Sequence, residues 1–177
     1  MAQKNYRVLL LGLVSISIST SAEVVDVATS GFFARNEVII NAPPEKVYSA
    51  LLQVGSWWDP EHTYSGDAAN MSIAATPGGC FCEVMKDGGS IQHMEVIYLQ
   101  PGVTLRMAGG LGPLQQDGVA GSLTWGMAAD GPATKVTQTY SVGGYRQGGF
   151  VEMAPLVDQV LNTQLQRLHR FIETGTP

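Results

Sequence analysis

Charge is scarce in this chain of 177 residues: 14% are Asp, Glu, Lys or Arg, and no basic block occurs anywhere. The balance is 10 Lys plus Arg against 15 Asp plus Glu, a net charge of -5, which argues against nucleic acid as a partner. Two cysteines are too few for a disulfide framework. A phosphate-binding loop, a Gly-x-Ser-x-Gly elbow and zinc-ligand spacing are all missing, so neither ATP, nor a metal, nor any other cofactor is expected. Hydrophobic residues make up 45%, with 21 Gly and 9 Pro, which excludes disorder, collagen and coiled coil and fits one globular domain.

The longest apolar stretch is also short. Lys4 and Arg7 precede a run from Val8 to Ile18 that fades into Ser19-Thr20-Ser21-Ala22. Its 11 residues are about half of a bilayer span. With small residues at Thr20 and Ala22, residues 1–22 read as a secretory signal peptide cleaved after Ala22. An exported, periplasmic protein of 155 residues is expected, with 8 basic and 15 acidic side chains (-7) and no membrane insertion once the signal is removed. Residues 23–30 read as an N-terminal extension. A chain of this length buries about 68 to 70% of its unfolded surface, enough for stability without staples.

Periodicity supplies the elements. Gly31 to Asn41 reads as a strand; Pro44 to Gln53, with apolar Val47, Ala50, Leu51 and Val54, as a short amphipathic helix. An irregular aromatic stretch follows from Trp57 to about Ala69. Six runs of strand-forming residues come next, separated by turn residues such as Lys86-Asp87-Gly88-Gly89 and Asp130-Gly131-Pro132. From Phe150 onward the period changes to that of a helix, with Val157, Leu161, Leu165 and Leu168 on one face; Pro155 marks either its start or a kink. The expected fold is α+β, a curved antiparallel sheet of about seven strands wrapped around the C-terminal helix over residues 31–174. A sheet curved around one helix leaves a hollow that suits a ligand.

Several local sequences strengthen this reading. Ile39-Ile40-Asn41-Ala42-Pro43-Pro44-Glu45-Lys46-Val47-Tyr48 joins strand to helix, Trp57-Trp58 follows, and Gly78-Gly79-Cys80-Phe81 with Lys86-Asp87-Gly88-Gly89 bounds a strand. In this order they resemble the SRPBCC superfamily, the START and pollen-allergen-like helix-grip proteins, and in particular its branch related to activators of the heat-shock chaperone ATPase. The resemblance implies a helix-grip fold and a ligand cavity. Export would separate the chain from a cytosolic ATP-driven chaperone.

Three functions are expected in order. The first is binding of a hydrophobic or aromatic small molecule, by a monomer or weak dimer, with Trp57, Trp58, Tyr64, Phe81, Met94, Trp125, Tyr140, Met153 and Val157 as candidate lining. The second is a cyclase- or hydratase-type enzyme in the same pocket, with His62, His93 and Tyr145, and additionally Tyr64, as candidate proton-transfer groups. The third is an envelope protein-interaction module. Counting back from the 86–89 turn pairs Met85 with Ile91, Glu83 with His93 and Cys82 with Met94, which places His93 on the solvent or rim side and Cys80, Cys82 and Met94 on the other face. The two cysteines are expected as buried thiols, since Cβ atoms two apart on a strand lie too far apart for a disulfide without a bend.

Overall fold

Residues that alternate apolar and polar become strands, and the 3.6-period segment becomes the helix they enclose. The computed structural model describes residues 23–177; the signal-peptide reading of residues 1–22 lies outside the described residues. The strands are β1 (Glu23–Ala28), β2 (Gly31–Ile40), β3 (Met71–Ile73), β4 (Cys80–Val84), β5 (Ser90–Gln100), β6 (Thr104–Ala108), β7 (Ala120–Asp130) and β8 (Ala133–Gly143). The helices are α1 (Pro44–Leu51), α2 (Val54–Trp57) and α3 (Met153–Thr174). All strands belong to one antiparallel sheet in the order β1-β2-β8-β7-β6-β5-β4-β3.

The expected count of seven strands is corrected to eight. Glu23–Ala28, read as an extension, pairs with β2 from Glu23↔Arg35 to Ala28↔Gly31. It lacked a clear alternation because a register shift interrupts it between Val24 and Asp26, and Val25 and Val27 face solvent.

Helix α3 begins at Met153, so Pro155 sits in its first turn, where the missing N–H costs nothing. It ends at Gly175, whose left-handed φ of 83° lets its N–H reach the Phe171 carbonyl. Leu161, Leu165 and Leu168 are buried against the concave face of the sheet together with Leu123, Trp125 and Tyr140. Among the described residues, no helix is long and apolar enough to cross a membrane.

Strands β4 and β5 depart from the expected register. Glu83 faces Ile91, Cys82 faces Gln92 and Phe81 faces Met94, so His93 is the extra residue of a β-bulge. A bulge places consecutive side chains on one face, and His93 and Met94 are indeed both buried. Of the two positions expected for His93, the solvent-facing one is overturned. Phe81 and Glu83 also point inward, while Cys80 and Cys82 take the outer, half-buried positions and are disulfide-bonded. Their Cα atoms are 5.3 Å apart, closer than two steps of a regular strand, roughly 6.6 Å. The contraction beside the register shift is the bend that the thiol expectation lacked.

Candidate functional site

The hollow between the sheet and α3 is only partly filled. A cavity of about 770 Å3 remains at the N-terminal end of α3. One wall is the helix itself: Met153, Leu156, Val157, Val160 and Leu161 recur at the three- and four-residue steps of a single face. A second wall is the segment after α2, from which Trp58 and Glu61 to Tyr64 line the space. His93 on the β5 bulge and the β6–β7 connection from Leu111 to Pro113, with Gln115 and Gln116, complete it.

Each wall is held by identifiable bonds. Gln164 of α3 is fully buried; its Oε1 accepts from the Asp59 N–H at 2.9 Å and its Nε2 donates to His62 Nδ1 at 3.1 Å. The Arg167 guanidinium donates to the carbonyls of Trp57 (2.9 Å) and Trp58 (3.2 Å). Asp59 and Asp67 cap two short 3-10 turns by accepting from the N–H groups of Glu61 and Ala69, so this segment is ordered by its own sequence as well. Across the cavity, the Tyr64 hydroxyl donates to the Gly112 carbonyl at 3.2 Å.

The β6–β7 connection hangs on Tyr140. Its hydroxyl donates to the Gly109 carbonyl and accepts from the Leu111 N–H, both at 3.0 Å, and burial pushes its pKa up to about 12. Glycine is required where these chains meet: a Cβ on Gly121 would come within 2.3 Å of the Gly109 carbonyl oxygen, and one on Gly109 within 2.7 Å of the His93 carbonyl oxygen.

Behind the wall at His93 stands a buried polar pair. Glu83 is fully covered and His93 is 6% exposed, with Nε2 of the ring 3.0 Å from Glu83 Oε2. Glu83 also accepts from the backbone N–H groups of Tyr64 (3.2 Å) and Ser65, tying the segment after α2 to β4. Burial works to raise the Glu83 pKa, but the Ser65, Tyr64 and His93 bonds outweigh it and hold the carboxyl below its ordinary value. Burial lowers the His93 pKa against the opposing pull of Glu83. The imidazole packs against the rings of Phe81 (centroids 5.0 Å apart) and Tyr64 (5.9 Å).

Of the residues expected to line a ligand site, Trp58, Tyr64, Met153 and Val157 border the cavity. Trp57, Phe81, Met94, Trp125 and Tyr140 are buried in the core behind it. There aromatic rings pack on each other, as Trp57 does on Trp58 and Trp125. His62 and His93 line the cavity, whereas Tyr145 is 84% exposed and stands apart from it. Sequence reasoning set Glu83 opposite His93 without recognising a buried, hydrogen-bonded pair, and it missed the Leu111–Gln116 wall and the tether Gln164. A carboxylate in a strand ten residues from a histidine across a hairpin turn was the available signal for the pair. The face shared by Cys80, Cys82 and Met94 does not form; among the described residues, no three His, Cys, Asp or Glu side chains gather into a metal site.

Comparison with known proteins places this geometry in context. A family model described as "Polyketide cyclase / dehydrase and lipid transport" matches residues 33–173. A search of curated proteins gives no match. Similar solved structures include a conserved protein of unknown function, EF2215, from Enterococcus faecalis (14% identity, TM-score 0.61, covering 88% of this chain and 78% of that one). CalU16 from Micromonospora echinospora is similar at 12% identity and TM-score 0.59, over 89% of this chain and 88% of that one. The Aha1 dimer from Colwellia psychrerythraea is similar at 19% identity and TM-score 0.61, over 82% and 98%. At these identities the structures establish the shared fold.

Proposed function

Because the chain belongs to the polyketide cyclase / dehydrase and lipid transport family, within the SRPBCC superfamily, we propose that it is an exported binding protein for an apolar or aromatic small molecule. Family and fold establish a ligand-binding or cyclase-type SRPBCC protein. The observation that supports the finer reading is the cavity of about 770 Å3, a size suited to a drug-sized ligand, with one wall made by apolar side chains of α3. The charged start and apolar run of residues 1–22 support export. Native mass spectrometry of residues 23–177, incubated with lipid and aromatic extracts, tests binding: a retained mass displaced by Val157→Trp supports it, and a protein that retains nothing from any extract overturns it. Export is tested separately, by fractionating cells that express the full chain.

A second reading, a cyclase- or hydratase-type enzyme, is favoured by one observation: the Glu83–His93 pair stands at the cavity wall. It requires that a bound ligand leave chemically changed. A ligand recovered with its original mass and isomeric form, from wild type and His93→Phe alike, rejects it.

A further inference from the structure

The polar chemistry of the cavity wall restricts what can occupy it. Among the described residues, no Lys or Arg lines the space, so a buried carboxylate or phosphate would meet no cation. It would meet a negative charge instead. Glu83 is fully buried, accepts two backbone N–H groups and has a depressed pKa, which fixes it as the ionised, acceptor-only form. The bond at 3.0 Å to His93 Nε2 must then be donated by His93. In a neutral imidazole, which burial favours here, a proton on Nε2 leaves Nδ1 as a bare acceptor. No described residue hydrogen-bonds to Nδ1, and the ring borders the cavity.

Resting on the binding reading above, we propose that His93 Nδ1, fixed as an acceptor by Glu83, is the polar anchor of the cavity, and that it selects neutral ligands bearing a hydroxyl donor over carboxylates and phosphates. Glu83 acts as a positioning residue, because it sets the tautomer without touching the ligand. The bond to Glu83 and the contacts with the Tyr64 and Phe81 rings hold the imidazole, so the acceptor has one direction and the hydroxyl must approach along it. Opposite the apolar α3 wall, an oriented acceptor discriminates between ligands, since a polar group left unmatched there loses its hydration without return.

Calorimetric titration of residues 23–177 with four probes of one shape tests the idea: naphthalene, 2-methoxynaphthalene, 2-naphthol and 2-naphthoate. The expected order is 2-naphthol tightest, roughly three- to tenfold over 2-methoxynaphthalene, the range of one net hydrogen bond, with 2-naphthoate weakest. In His93→Phe the preference for 2-naphthol over 2-methoxynaphthalene should vanish while naphthalene still binds. Since that variant leaves Glu83 without its partner and can misfold, histidine nitrogen NMR of the wild type provides an independent measurement. One histidine should show a pyridine-type Nδ1 that shifts on adding 2-naphthol and not on adding 2-methoxynaphthalene. Equal affinity for all four probes, tighter binding of 2-naphthoate, or a protonated Nδ1 at neutral pH each overturns the anchor while leaving the cavity reading intact. Binding of none of the probes would overturn both.

Discussion

The two halves of α3 have the same apolar period and different surroundings. From Leu165 to Ile172 the inward face is sealed: Leu165 and Leu168 are fully buried, and α1 and α2 pack beside the helix to close the sheet against it. From Met153 to Leu161, Ala154 and Asp158 are buried, but the adjacent row of Met153, Val157 and Val160 borders the cavity and is only half-buried. The boundary is polar. Asn36 Nδ2 donates to Asp158 Oδ1 at 2.9 Å and approaches Gln138 Oε1 at 3.4 Å, all three residues being buried. One helix thus serves as keystone at one end and pocket wall at the other, and the difference lies in what the rest of the chain places opposite it. Stability should be concentrated in the sealed half and selectivity in the open half.

The largest expected effect breaks the sealed half. Leu165→Ala removes a fully buried side chain from a site enclosed on all sides, which typically costs about 2 to 5 kcal/mol. For a domain of this size that lowers the melting temperature by roughly 5 °C or more. A thermal melt measures it, and a tolerated substitution would mean that the helix face is misassigned.

Next comes the link between β4 and the segment after α2. Glu83→Ala strands the Tyr64 and Ser65 N–H groups and the His93 ring, at a cost of about 2 to 3 kcal/mol, and should expose amides 58–66 to hydrogen exchange. Acid should do the same by degrees, and both groups act with one sign. The His93 pKa lies below its ordinary 6.5 in the folded state, so the unfolded chain takes up that proton first as pH falls below about 6.5, and stability declines. The Glu83 carboxyl, held below 4.5, adds a second decline as pH drops under about 4.5. Urea midpoints between pH 7 and pH 3 should fall in wild type; a rise on acidification would contradict the ionised, neutral-histidine pair.

A smaller effect is expected where the sealed half of α3 holds the segment after α2. Arg167→Met keeps the aliphatic stem but removes the donors to the Trp57 and Trp58 carbonyls, at a cost of about 1 to 2 kcal/mol. Because those carbonyls precede the cavity wall, ligand dissociation should quicken by more than the melt alone implies. Stopped-flow release of a bound fluorescent naphthol would detect it.

The same contrast explains how much could be read without coordinates. The β4–β5 turn, the period of α3 and its buried leucines follow from local chemistry: a Lys-Asp-Gly-Gly turn and a 3.6-residue repeat need no partner to be recognised. Depth does not follow, because periodicity assigns a side chain to a face and says nothing of what lies beyond it. Trp125 and Tyr140 were thus grouped with Met153 and Val157, although one pair fills the core and the other borders the cavity. The bulge at His93 is marked by no glycine or proline, since it arises from pairing between strands. That single extra residue moved Met94 off the cysteine face and onto the buried face of Phe81, Glu83 and His93. β1 was hidden for a similar reason, being a strand only by virtue of β2.

The smallest effect on stability should be the most informative about function. Val157 stands one helical turn before Leu161 on the same face, yet it is only half-buried because its outer side borders the cavity. Truncation to alanine removes two methyl groups that already lack neighbours on one side, so the cost should stay at or below about 1 kcal/mol, less than for full burial. What changes is the shape of the cavity, which gains the volume of those methyls on its α3 wall. Small probes such as 2-naphthol should bind more loosely in the enlarged space, and a bulkier hydroxylated probe should bind more tightly. The His93-dependent preference for a hydroxyl over a methoxy group should survive, because the anchor on β5 is untouched. Calorimetry on Val157→Ala beside its thermal melt separates these effects. A stability loss equal to that of Leu165→Ala would show that the N-terminal half of α3 is sealed as well, and the contrast between its two ends would collapse.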